Sequence, residues 1–309
     1  MTAISIALSC FPSKGWGRSG YFLVASPEMQ AFLDELAGQP EKSELGSIDV
    51  QRRTTDEFMA GQAIPDGVLV DDYELAGRPA RKYFRSGVRE DASLLYFHGG
   101  GYRVGSLDSH HAFTAHLAVA CKTAVNSLAY RLAPENPYPA GLDDAVAAYQ
   151  EMLQYTAGDK IMLAGDSAGG GLTLACLLRL KDEGLPMPGC AALLSPHLDL
   201  TCSNDLPGVS HKIMLDSARL YAGDYPLDTV GVSPLLGDMQ GLPPLLIQVA
   251  KDEMLESDSI RLAERARAAG VSVELRIFDE AFHVFQTFTH FPESQDALTD
   301  LSDFYNRHI

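Results

Sequence analysis

The stretch Lys160 to Gly171, KIMLAGDSAGGG, constrains the fold more than any other part of the chain. Ile161 to Ala164 is a short apolar run that reads as a buried strand. Leu172 to Leu180 is apolar and rich in good helix formers, so it reads as a helix. Between them lies Gly165-Asp166-Ser167-Ala168-Gly169, the G-x-S-x-G pattern of a serine held on a strained strand-to-helix turn. Gly165 and Gly169 lack side chains, so strand and helix can pass close together. The helix then points its N-terminal N–H groups at the serine, where they favour developing negative charge. A glycine-rich turn that binds phosphate, or nothing, has the same outline. Ser167 becomes a nucleophile only if a base, an acid and a second oxyanion donor stand elsewhere.

A buried strand running straight into a helix belongs to a layered α/β fold, and the surrounding sequence keeps that rhythm. Val68 to Leu75 and Ala80 to Arg85 read as a hairpin about Gly77-Arg78-Pro79, and Ser93 to Phe97 as a third strand. Helices are expected over 109–121, 141–154, 168–181, 257–269 and 294–306, with strands at 124–129, 161–164, 190–194, 245–249 and 272–278. Such alternation means a mainly parallel sheet with helices on both faces, and sites at the carboxyl ends of its strands. Two helices, from Pro27 to Leu36 and from Ile48 to Ala60, precede the first strand. The interval from His197 to about Val232 is long for a plain connection and holds a helix over Asp216 to Tyr221. The expected organisation is a pair of cap helices within residues 1–60, the first 26 or so being loop or partly disordered. The catalytic domain then spans 61–309 and carries a cap insertion at about 197–232.

The other parts of a serine site follow separate strands. Phe97-His98-Gly99-Gly100-Gly101-Tyr102 comes directly after the third strand. Consecutive glycines are entropically costly unless the backbone itself is needed, and an HGGG-type loop supplies oxyanion donors in esterase sites. The expected donors are the N–H groups of Gly100, Gly101 and Ala168, with His98 holding the loop. The triad order Ser, acid, His puts the base late in the chain. His283 stands just past the strand ending near Phe278, whereas His290 lies on the way into the last helix. For the acid, Asp252 lies closest to the end of the strand 245–249. Glu253, Glu256 and Asp258 read as the acidic first turn and cap of the next helix.

Composition narrows the class. The net charge of −17 argues against nucleic acid and against anionic membrane surfaces as partners. Five scattered cysteines without C-x-x-C spacing read as free thiols rather than a disulfide frame or zinc site. Lys14 and Arg18 follow the mildly apolar N-terminal segment, the wrong side for a signal peptide, and no apolar run reaches transmembrane length. The expected location is cytoplasmic.

With these residues in place, the chain resembles the hormone-sensitive-lipase family of α/β-hydrolase esterases, in its bacterial GDSAGG branch. The resemblance runs from about Gly67 to the C-terminus. Its motifs are HGGG at His98 to Gly101, YRLAPE at Tyr130 to Glu135, YPA at Tyr138 to Ala140 and GDSAGG at Gly165 to Gly170, followed by SPxLDLT at Ser195 to Thr201 and the DExL stretch from Asp252. Two departures stand out. Glu253 occupies a place where a small or apolar residue is common, and His197 one where tryptophan is common. The resemblance implies an eight-stranded sheet, a helical cap, short acyl esters as substrates and no cofactor. It places nucleophile, acid and base on Ser167, Asp252 and His283. An amidase or deacetylase acting on an acylated metabolite would use the same triad, and a non-catalytic ligand-binding member of the fold would lack the histidine. The strand 272–278, VSVELRIF from Val271 on, reads as an edge, which invites a homodimer.

Overall fold

The computed structural model describes residues 25–37, 46–202, 209–279 and 281–309. The expectation for residues 1 to 26 therefore falls almost wholly outside the described residues, as does Cys10.

The sheet has eight strands: β1 (Leu69–Leu75), β2 (Arg78–Phe84), β3 (Arg89–Phe97), β4 (Thr123–Leu128), β5 (Ile161–Asp166), β6 (Cys190–Leu194), β7 (Leu245–Ala250) and β8 (Val273–Phe278). Their spatial order is β1-β2-β4-β3-β5-β6-β7-β8. The β1–β2 hairpin and the β2–β4 pair are antiparallel, and every other pairing is parallel. The central strands are apolar without alternation because both faces are covered, which is what a parallel sheet requires. Leu95 and Phe97 join one core, with Leu142 and Tyr149 of α4 (Ala140–Met152), Leu172 and Leu177 of α5 (Ala168–Asp182), and Leu262 of α7 (Glu256–Ala268). Leu94 and Tyr96 point the other way, toward Phe113 and Leu117 of α3 (His111–Cys121) and Leu301 and Phe304 of α8 (Pro292–His308).

Among the described residues, three further helices lie outside these two layers. The first, α1 (Pro27–Ala37), places Phe32 against Phe282, Phe288 and Phe291, with ring centroids 5.0 to 5.7 Å apart. Ser26 anchors its start through hydrogen bonds from its N–H and Oγ to Glu293. The second, α2 (Ile48–Met59), begins at Ser47, whose side chain accepts the N–H of Val50. The third, α6, runs from Val209 to Ala222 and is longer than the expected Asp216–Tyr221. Met214, Ala218, Tyr221 and Ala222 recur at helical spacing and are all buried. That face extends the helix back through a stretch whose local composition reads as turn.

Among the described residues no helix is long and apolar enough to cross a membrane. The four described cysteines, Cys121, Cys176, Cys190 and Cys202, are free and buried.

Candidate active site

Ser167 follows β5 and precedes the first turn of α5, with φ 50° and ψ −118°. This is a costly backbone for a non-glycine residue. It is held from two sides. The Ser167 N–H donates to the Leu194 carbonyl at 2.8 Å, and the His197 N–H donates to the Ser167 carbonyl at 2.9 Å. The flanking glycines are needed for close approach. A Cβ on Gly165 would sit 2.3 Å from the Gly169 carbonyl oxygen, and one on Gly169 would sit 2.0 Å from that of Phe97.

The loop after β3 lies beside this turn. Gly100 and Gly101 have φ 115° and 60°, in the left-handed region that glycine reaches without strain. A buried carboxylate fixes the loop to the elbow: Asp166 Oδ1 accepts the Gly99 N–H at 2.8 Å and the Tyr96 hydroxyl at 2.5 Å. Burial alone would raise the Asp166 pKa, but the neighbouring His110 and the hydrogen bond from Tyr96 hold it below the usual carboxylate range. His110, just ahead of α3, has Nε2 3.3 Å from the same carboxylate. His98 holds the loop as expected, its Nδ1 lying 2.8 Å from the Gly99 carbonyl and its ring stacked on Tyr130 at 4.5 Å. Burial, aided by the nearby His110, pushes its pKa down to about 4, so it is neutral at ordinary pH.

His283 stands in the turn after β8, with Nε2 2.9 Å from Ser167 Oγ. Its Nδ1 is 3.0 Å from a carboxylate, and that carboxylate belongs to Glu253, not to the expected Asp252. The backbone explains the difference. Asp252 has φ 61°, so the chain turns sharply just past β7. Asp252 is exposed, and its N–H donates to Glu256 Oε2 at 2.8 Å. The next residue is directed inward: the Glu253 side chain is 3% exposed. Its Oε2 accepts the Ala250 N–H at 3.1 Å and the Ser195 hydroxyl at 2.9 Å. Being longer by one methylene, glutamate spans the remaining distance to the imidazole. Glu256 and Asp258 do lie in the first turn of α7. The signal available in the sequence was Glu253 itself, a carboxylate where the resembling family commonly has a small or apolar residue. His290 does not approach Ser167; its ring lies 4.0 Å from that of Phe291 at the start of α8.

The helices outside the two layers reach the same edge. Tyr102, next to Gly101, stacks on Tyr221 of α6 with centroids 3.7 Å apart and planes at 10°. Arg103 donates to Ser217 of α6 at 2.8 Å and to Gln51 of α2 at 3.1 Å. Arg52 of α2 donates to the Arg103 and Ala133 carbonyls and makes a bidentate pair with Glu135. Phe282, beside His283, packs on α1 through Phe32. His197, at the place where tryptophan is common, is buried, with Nε2 unpartnered among the described residues. Burial and the nearby His283 push its pKa down to about 4. Among the described residues no cluster of histidine, cysteine or acidic side chains could hold a metal ion.

Residues 94–287 match a family model described as an alpha/beta hydrolase fold. An acetyl-hydrolase of Streptomyces hygroscopicus is 36% identical over 293 residues, covering 89% of this chain and 95% of that protein. An esterase of Acinetobacter venetianus is 38% identical over 222 residues, covering 68% of this chain and 73% of that protein. A crystal structure of an esterase from the bacterial hormone-sensitive lipase family superposes with a TM-score of 0.85 at 36% identity, covering 93% of this chain and all of that one. The chain belongs to the α/β-hydrolase family, among its hormone-sensitive-lipase-like esterases, and is a carboxylic-ester hydrolase.

Proposed function

We propose that the chain hydrolyses short-chain acyl esters through a covalent acyl-enzyme on Ser167. The observation that carries this is the continuous hydrogen-bonded line from Ser167 Oγ to His283 Nε2 and from His283 Nδ1 to Glu253 Oε1, at 2.9 and 3.0 Å. His283 takes the Ser167 proton as Oγ attacks the ester carbonyl. Glu253 holds the imidazole in the tautomer with its proton on Nδ1 and stabilises the cation that forms. Backbone N–H groups of Gly100, Gly101 and Ala168 receive the oxyanion. The imidazolium returns its proton to the leaving alcohol as the ester C–O bond breaks. Water, deprotonated by His283, then attacks the acyl-enzyme, and Ser167 leaves with the proton restored. Helices α1, α2 and α6, with the described residues 197–202 and 223–232, serve as a cap over this edge. The ties from Arg103 and Tyr102 to α2 and α6 support that reading. A small acyl group is favoured by the likeness to a protein named an acetyl-hydrolase.

In the test, p-nitrophenyl esters from acetate to hexanoate are cleaved by the native chain and not by Ser167→Ala. Native-level cleavage by that variant sinks the assignment. We also propose a homodimer through the edge strand β8.

A further inference from the structure

Ser195 stands at the end of β6, fully buried, with φ 44°. Its N–H donates to the Gln248 carbonyl of β7 at 2.6 Å, which fixes the residue in a backbone conformation that is costly for serine. The hydroxyl it presents has two partners. It donates to Glu253 Oε2 at 2.9 Å and receives the Val284 N–H at 3.4 Å. Val284 follows His283 and itself has φ 56°. One buried oxygen therefore touches both the segment that carries the carboxylate and the segment that carries the imidazole. The two segments enter from different strands, β7 and β8.

We propose that Ser195 is a positioning residue for the Glu253–His283 pair, its hydroxyl holding the carboxylate and the histidine turn at one shared anchor. The inference rests on the reading of Ser167 as nucleophile. A glutamate has one more free torsion than an aspartate, so a carboxylate at the end of the longer arm needs more restraint to stay aimed at one atom. Glu253 Oε2 is tied on two sides, by Ser195 and by the Ala250 N–H, and Oε1 is left directed at His283 Nδ1. The receiving bond from Val284 limits how far the imidazole can swing away from that oxygen. The hydroxyl accordingly acts on the chemistry through Glu253 and His283 without touching the substrate.

The test compares Ser195→Ala and Ser195→Gly with the native chain. Glycine accepts the positive φ, so the second variant removes the hydroxyl without adding backbone strain. Active sites are titrated with a fluorophosphonate probe, and rates are expressed per titrated site. The expected result in both variants is a fall in kcat of about ten- to a hundredfold on p-nitrophenyl butyrate, the scale for losing a hydrogen bond to a charged group. KM should stay within about twofold, because no contact to the bound ester is lost. The low-field proton resonance of the His283–Glu253 hydrogen bond should shift or broaden. If Ser195 merely joins β6 to β7, the variants lose titratable sites or thermal stability, while kcat per site and the resonance stay native; that result overturns the proposal. Full activity in Ser167→Ala would instead overturn the underlying reading, whatever the Ser195 variants do.

Discussion

Glu253 and Asp252 are adjacent carboxylates with opposite fates, and a single backbone angle divides them. The positive φ at Asp252 sends its side chain to solvent and the next one inward. Glu253→Gln should lower kcat/KM by about three to four powers of ten, the scale seen when a triad carboxylate becomes an amide and the wrong imidazole tautomer is favoured. Asp252→Asn should stay within about threefold of native, as expected for an exposed residue without contact to the imidazole. Steady-state kinetics on one short p-nitrophenyl ester check both, and the reverse ranking would return the acid to Asp252. Burial also sets how two histidines titrate. His98 and His197 have folded-state pKa values pushed from 6.5 down to about 4. In the unfolded chain both protonate as pH falls below about 6.5. Between 6.5 and 4 the unfolded state thus binds more protons than the native one, and stability drops as pH falls through that window. The upper bound is on the order of 3 kcal/mol per histidine. The urea midpoint should therefore fall steadily from pH 7 to pH 4.5, and His197→Leu should flatten the slope. Parallel slopes in the two proteins would contradict the account.

At the scale of elements, legibility follows from how local the determining physics is. Strands β5, β6 and β7 are runs of apolar residues buried on both faces, so composition and length define them. Gly165 and Gly169 were readable as close-approach positions because a G-x-S-x-G turn can pack only without those side chains, and the Cβ positions bear this out. The convergence of Ser167, His283 and the glycine loop follows from topology: parallel strands bring their carboxyl ends to one edge. What escaped was set by tertiary context. The extent of α6 depends on the burial of Met214, Ala218 and Tyr221 against elements far away in sequence. The choice of Glu253 depends on a turn conformation and on Ser195, 58 residues earlier. The helix extent has no local sequence signature, and for the acid the sequence marks only the unusual carboxylate at Glu253, not the turn that aims it. His110 was placed in a helix by its neighbours. It stands instead just before α3, against Asp166, where its partner determines its orientation.

At the scale of the whole molecule, the sheet has two edges, and they differ. Strand β1 carries Asp71, Asp72 and Glu74, a run of acidic side chains that blunts an edge. Strand β8 also carries charges, and like Asp72 of β1, which pairs with Arg81, they are matched within the chain. Glu274 pairs with Arg307 at 2.7 Å and Arg276 with Asp300 at 3.4 Å, both partners lying on α8. Beside them Ile277 is 41% exposed, a large apolar side chain on a strand that pairs with β7 on one side and has an open edge on the other. Two copies joined along β8 would extend the sheet and cover this residue; β1 also exposes an apolar side chain, Leu69 at 46%, so the proposed dimer is placed at β8 on account of the acidic run of β1. The opposing term is charge, because each copy carries −17. Self-repulsion of that size is screened by salt over about 10 Å at 0.1 M. The expected outcome is a light-scattering mass near twice 33.4 kDa at moderate salt, with dissociation favoured as salt is withdrawn. Ile277→Lys should give the single-chain mass at all salt concentrations while leaving ester hydrolysis intact, since the side chain lies before the turn that carries His283. A native chain that stays at 33.4 kDa across the salt series, or an Ile277→Lys variant that still doubles its mass, would remove β8 as the interface.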